Sequence, residues 1–181
     1  MAPVVSVINM KGGVGKTTVT GNVFREFFRS LATKTLLIDF DAQSVLTQLL
    51  LTRSMYEKCK ADRRTLWHVM EPDPTVSVFE TSSTDTTSIR SVDDLTRLLK
   101  YLSSNREIEL QLLPGDFRVA KLNLREKPET LQIPRKRFQS LISKARHKFG
   151  LVVLDCNPSS SFMTRCAIEN STHLLTWALP R

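Results

Sequence analysis

Short apolar runs alternate along this chain with stretches in which apolar residues recur every three or four positions. Val4-Val5-Ser6-Val7-Ile8, Thr35-Leu36-Leu37-Ile38-Asp39 and Leu151-Val152-Val153-Leu154-Asp155 are three such runs. Runs this short and this apolar suit strands buried on both faces, as in a parallel sheet. Leu110 to Leu113 predicts another strand, stopped by Pro114-Gly115, and His173 to Leu179 the start of one more. Between them, Val23, Phe24, Phe27, Phe28 and Leu31 predict a helix with one apolar face. Phe138, Leu141, Ile142, Ala145 and Phe149 predict a second, ended by Gly150. A charge-rich stretch from about Val45 to Met70 reads as helical, and so does Asp93 to Leu102. Glu71 to Ser91, with two prolines and many Ser and Thr, reads as a long surface excursion.

Strands alternating with helices predict an α/β fold in three layers, a mostly parallel sheet with helices on both faces. In such sheets ligands sit at the carboxyl ends of the strands. A length of 181 residues suits one domain over 1–181. No apolar run approaches the roughly 20 residues that span a bilayer. Met1-Ala2-Pro3 leads straight into the first strand, without the basic region and cleavage site of a secretory signal. Cys59, Cys156 and Cys166 are widely spaced and form no CxxC or Cys/His cluster, so they read as free thiols in a reducing cytoplasm.

The strongest chemical signal follows the first strand. Lys11-Gly12-Gly13-Val14-Gly15-Lys16-Thr17-Thr18 fits the phosphate-binding pattern G-x-x-x-x-G-K-[ST], except that Met10 stands at the first glycine position. Glycines let backbone N–H groups turn inward around phosphates, and the helix that follows points its positive dipole end at the same anion. Lys16 can neutralise the β- and γ-phosphates, and the Thr17 hydroxyl can ligate magnesium. The expected ligands are therefore ATP and magnesium.

Lys11, immediately before the glycines, narrows this further. The segment resembles the deviant-Walker ATPases: the partition ParA/Soj proteins, the septum-site protein MinD and their relatives. Their KGGxGKT loop carries an extra lysine that reaches across a dimer interface. The resemblance implies a P-loop NTPase fold, a homodimer sandwiching ATP, and Lys11 acting in trans on the partner's nucleotide. Leu36 to Gln43 looks like the family's strand and DxDxQ switch, with Ala42 where proline is usual. By that resemblance Asp41 positions the attacking water and Asp39 helps organise the magnesium shell. Leu151–Asp155 resembles the Walker B strand, with Asp155 holding magnesium through water. The family's Asp-x-Pro-Pro is here Asp155-Cys156-Asn157-Pro158-Ser159, one proline kept and one lost. Cys156 lacks the cysteine spacing of an iron–sulfur site and reads as a small buried thiol.

Charge adds a second theme. The net charge is +8, and ten Lys/Arg against two acids lie between Arg118 and Lys148, leaving the rest of the chain balanced. Arg135, Lys136, Arg137, Lys144 and Lys148 are the candidate DNA contacts, with Lys144, Arg146 and Lys148 expected to project from the helix face. A solvated basic face, non-specific binding to DNA phosphates and protein partners are all open to such a cluster.

The resemblance runs from Val4 to about Leu175, whereas partition ATPases continue with another strand and C-terminal helices. The fold is therefore expected to be C-terminally incomplete. MinD's C-terminal membrane helix is not found, so no membrane partner is expected, and the lack of a helix-turn-helix extension before Val4 argues against an autorepressing partition subtype. What the resemblance implies is a cytoplasmic, nucleoid-associated ATPase of plasmid or chromosome partition. It would dimerise with ATP, bind DNA without sequence preference and be stimulated by a centromere-binding partner protein. The alternatives are a nucleotide-binding module without turnover and a MinD-like regulator of division.

Overall fold

Leucine, isoleucine and valine bury both faces of the central strands, and two helical layers cover them. The computed structural model describes residues 1–9, 11–30, 32–72, 87–104, 106–125, 127–156 and 161–177. The elements in chain order are β1 (Val4–Val7), α1 (Lys16–Ser30), β2 (Thr35–Phe40), α2 (Val45–Leu50), α3 (Arg53–Ala61), α4 (Leu66–Met70) and α5 (Val92–Leu95). There follow β3 (Arg97–Ser104), β4 (Arg106–Leu113), α6 (Ala120–Asn123), α7 (Gln132–Lys148), β5 (Leu151–Cys156), α8 (Phe162–Asn170) and β6 (His173–Leu175).

The six strands form one sheet in the order β3-β4-β2-β5-β1-β6. All neighbours pair in parallel except β3, which runs antiparallel on the β4 edge. Alternation along β2 divides the core. Leu36, Ile38 and Phe40 pack with residues of α4, α7 and α8, the Phe40 and Phe138 rings 4.6 Å apart. Leu37 belongs to the opposite layer, with Phe24 and Phe28 of α1 and Leu46 of α2. Each such fully buried side chain contributes about 1.5–3 kcal/mol. The three-layer, mostly parallel α/β sheet expected from the sequence is present.

Three local expectations change. The helix expected over Asp93–Leu102 is one turn, α5, followed by strand β3. β4 lies between β2 and an otherwise open edge, and β3 supplies the hydrogen-bonding partner it needs there. Tertiary pairing overrides the helical spacing of the leucines. The stretch 45–70 divides into three short helices because the backbone turns between them. Thr52 accepts a hydrogen bond from Met55 N at 3.3 Å and starts α3, while Arg63, at φ 56°, lies in the left-handed region just beyond it. Finally, α8 is a helix for which no expectation was stated, capped by Ser161 accepting from Thr164 N. In the expected excursion over 71–91, residues 73–86 lie outside the described residues.

Candidate functional site

The glycine loop lies at the carboxyl end of β1, where the fold class places ligands. Gly13 and Gly15 have φ of 72° and 83°, a region in which a side chain is strained, so glycine is required at both. A Cβ built at Gly12, Gly13 or Gly15 meets no other atom within 4 Å, so the loop encloses open space. α1 starts at Lys16, and Val19 N donates to Gly15 O at 2.8 Å. The amides preceding that bond are left to point at whatever fills the loop. Lys16 is buried, with its Nζ 3.5 Å from the Lys11 carbonyl, whereas the Lys11 residue is exposed at the loop's mouth. Val14 and Thr17 are half-buried and Thr18 exposed. Trp177, just beyond β6, ties the loop down. Its indole Nε1 donates to Val14 O at 3.2 Å, and its carbonyl accepts from Asn9 Nδ2 at 2.6 Å.

Parallel register aligns the acids with this loop. Val7 is opposite Asp155 and Asp155 is opposite Asp39, one row across β1, β5 and β2. Asp155 Oδ1 accepts from Thr20 Oγ1 at 3.0 Å. Its Oδ2 is buried and accepts no hydrogen bond from the described residues. Burial pushes the Asp155 carboxyl up to about 6, opposed by the hydroxyls of Thr17 and Thr20 and reinforced by the charge of Asp41.

Asp39 is engaged within the protein on both carboxylate oxygens. Its Oδ2 accepts from Thr47 N (2.8 Å) and Thr47 Oγ1 (2.6 Å), and its Oδ1 from Asp41 N (3.3 Å). Thr47 lies in the first turn of α2, whose own N-cap residue Ser44 offers no side-chain bond. An interior carboxylate from β2 thus caps α2 in its place. With both oxygens engaged inside the protein and no exposure, Asp39 holds the backbone of the switch turn. Burial lifts its pKa from 3.8 to about 7, partly offset by the Thr47 bonds. The folded state therefore holds a proton that the unfolded chain releases, and stability from this group is lost as pH rises from about 4 through 7. Asp39→Asn cannot titrate. Its stability relative to the parent should improve as pH rises through that window, measured by thermal melts; a difference constant with pH would refute the linkage.

Gly115 closes the same network. Its N–H donates to Thr47 Oγ1 at 2.8 Å, and a Cβ there would lie 2.7 Å from Ser44 Oγ and 2.9 Å from Asp39 Cγ. Asp39 cannot retreat without losing Thr47. Gly115→Ala should cost about 1–3 kcal/mol, the usual overpacking penalty, and lower the melting temperature by several degrees. An unchanged melt would show that the pocket yields.

Asp41 is half-buried one residue beyond β2; its Oδ1 accepts from Gln43 N at 2.9 Å. Magnesium takes one or two carboxylates and leaves its remaining positions to water and phosphate. The open loop, the Thr17 hydroxyl and the orphaned Asp155 Oδ2 fit that demand.

The basic window is less of a surface than its charge count implies. Arg137 is 8% exposed and turned inward, its Nε donating to Val69 O at 2.6 Å. Arg135 pairs with Glu169, Lys148 with Asp93, and Lys144 donates to Ile89 O at 2.9 Å. Arg146, expected to project outward, is half-buried and donates to Ala2 O at 2.9 Å. Lys136 is exposed. Thr20, Thr47, Gly115 and Trp177 were not anticipated; only the Thr-rich start of α1 and the Pro-Gly stop after β4 carried any local signal for them.

Known proteins match this geometry. A family model described as an AAA domain (AAA_31) covers residues 2–177. A ParA family protein of Chlamydia muridarum is 26% identical over 177 residues, covering 97% of this chain and 58% of that protein. The solved structure of pNOB8 ParA bound to nonspecific DNA superposes with TM-score 0.66 at 20% identity, over 96% of this chain and 52% of that one. A cobyrinic acid a,c-diamide synthase from Mycobacterium smegmatis, solved with a bound ATP analogue and magnesium, gives TM-score 0.66 at 18% identity, over 96% and 57%. The chain thus spans little more than half the length of these proteins. It resembles ParA family proteins over most of its length and belongs to the AAA_31 family of AAA domains.

Proposed function

We propose that this chain is the nucleotide-binding part of a plasmid or chromosome partition ATPase that binds ATP with magnesium, dimerises around it and hydrolyses it. The observation that carries this is the contrast between two lysines of one loop: Lys16 buried with its Nζ 3.5 Å from the Lys11 carbonyl, Lys11 exposed at the loop's mouth. An exposed lysine beside an already supplied phosphate cradle has a job for a second subunit's nucleotide. Non-specific DNA binding, stimulation by a centromere-binding partner and a cytoplasmic, nucleoid-associated location complete the proposal, in line with the DNA named for the pNOB8 relative. Lys136 and the flanks of α7 are the candidate DNA surface, with Arg137 removed from it by burial.

Within the site, the loop amides and Lys16 bind and neutralise the β- and γ-phosphates. Thr17 and Asp155 would hold magnesium, which when bound would supply positive charge against the phosphates. Asp41 orients the attacking water and accepts its proton, while the Asp39–Thr47 bond keeps the turn bearing Asp41 in place. A nucleotide-binding module without turnover is the second reading, favoured by the engagement of Asp41 with Gln43 N. Single-turnover hydrolysis by the purified chain separates the two.

The dimer has its own test. Lys11→Ala should bind ATP within about threefold of the parent yet remain monomeric by light scattering when ATP is added, because the loop it leaves intact supplies the local contacts. An ATP-dependent dimer in that variant would remove Lys11 from the interface.

A further inference from the structure

Thr20 lies on the core-facing row of α1, one and two turns before Phe24 and Phe28, which pack into the apolar layer on that side of the sheet. Its side chain has no exposure. Packing alone would be met at such a position by an aliphatic residue, whereas a buried hydroxyl needs a partner.

Two acceptors are within reach. Thr20 Oγ1 is 3.0 Å from Lys16 O, one turn back in the same helix, and 3.0 Å from Oδ1 of Asp155 on β5. A hydroxyl has a single proton to give. Returning it to the carbonyl four residues earlier is the ordinary habit of a threonine inside a helix. An ionised carboxylate competes better, because a bond to a charged acceptor is about twice as strong as one to a neutral acceptor. The proton therefore goes to Asp155, and the bond ties α1 to β5 one turn beyond the phosphate loop.

This bond makes the two oxygens of Asp155 unlike. Oδ1 is held by Thr20, while Oδ2 is buried and accepts no hydrogen bond from the described residues. The terminal torsion of an aspartate is broad, so the carboxylate keeps one orientation only when an oxygen is fixed. Thr17, three residues before Thr20 on the same helix face, also acts on this carboxyl and opposes the effect of its burial. We propose that Thr20 is a positioning residue for the magnesium site: by holding Asp155 Oδ1 it fixes the rotation of the carboxylate and presents Oδ2 to the ion's water shell. Magnesium demands near-ideal octahedral geometry, so a carboxylate free to rotate serves it poorly. The role rests on the magnesium–ATP reading of the loop, and Thr20 acts only through Asp155.

The test follows binding of a fluorescent ATP analogue to the full chain, in EDTA and in rising magnesium. Thr20→Val keeps the branched shape and removes the hydroxyl. Its apparent magnesium dissociation constant should rise about tenfold or more, the usual loss when an outer-shell partner is removed. Affinity in EDTA, which depends on the loop amides and Lys16, should stay within about threefold, and Thr20→Ser should bring the magnesium constant back. Thr20→Ala is the second variant should Thr20→Val melt early. If magnesium tightens binding to the parent and to Thr20→Val alike, the positioning role is overturned. An equal loss of affinity in EDTA overturns it too, since the hydroxyl then serves Lys16 O and the phosphate loop. So does a Thr20→Ser chain that behaves like Thr20→Val, which leaves only the packing of the methyl group. A parent whose affinity ignores magnesium fails earlier, at the metal reading itself, and takes the role of Thr20 with it.

Discussion

Lys16→Ala is expected to abolish measurable ATP binding while leaving the melting temperature almost unchanged. The two halves of that expectation have separate causes. In the free protein the Lys16 ammonium is buried and its nearest partner is a carbonyl at 3.5 Å, a long contact. Little stability rests on such a bond, and removing a buried cation returns some of the desolvation cost. With phosphates in the loop the same ammonium makes charge-assisted bonds, each about 1.5–3 kcal/mol. Two of them lost correspond to about 100-fold or more in affinity. Titration of a fluorescent ATP analogue, alongside a thermal melt, reads both. Binding retained within about threefold would take the phosphate loop out of the proposed function.

Asp41→Ala should do the reverse, keeping ATP binding and stopping turnover. The carboxylate is half-buried at the end of β2 and close enough to Asp155 to raise its pKa. The turn that carries it is fixed from elsewhere: Asp41 N donates to Asp39 Oδ1, and Ser44 N to Asp41 O at 3.0 Å. Alanine therefore removes the carboxylate and its bond to Gln43 N while those anchors persist. A group that orients water and accepts its proton contributes about 10²–10⁴-fold to the rate. Single-turnover hydrolysis should fall by that factor at unchanged affinity, and Asp41→Asn, which keeps an oxygen for Gln43, should fall with it. Normal hydrolysis in either variant would assign the water to another residue.

What the sequence made legible follows from where physical constraint is local. β2 and β5 are buried on both faces, so their strands read as unbroken apolar runs. The phosphate loop is legible because glycine at Gly13 and Gly15, then Lys16 and Thr17, answer demands met within a few residues. Asp39 and Asp155 show the limit. They are the same residue type, opposite each other in register, at the ends of neighbouring strands. Thr47, eight residues on, and Gly115, distant in sequence, turn one into a helix cap, while the other keeps an oxygen without a hydrogen-bond partner among the described residues. β3 was hidden for a related reason, since its leucines fit a helical spacing and only the β4 edge makes them a strand. Arg137 was miscounted as surface because charge alone does not reveal that its position on α7 faces α4 and the core.

The bonds made by Trp177 have a mechanical consequence. With its indole on Val14 and its main-chain carbonyl on Asn9, this residue spans the phosphate loop like a strut, anchored at the outer border of the sheet beside β6. The loop cannot widen or tighten around a phosphate without loading that strut. Whatever packs along the open side of β6 therefore leans on the nucleotide cradle from behind, and can stiffen or slacken it without touching a single phosphate.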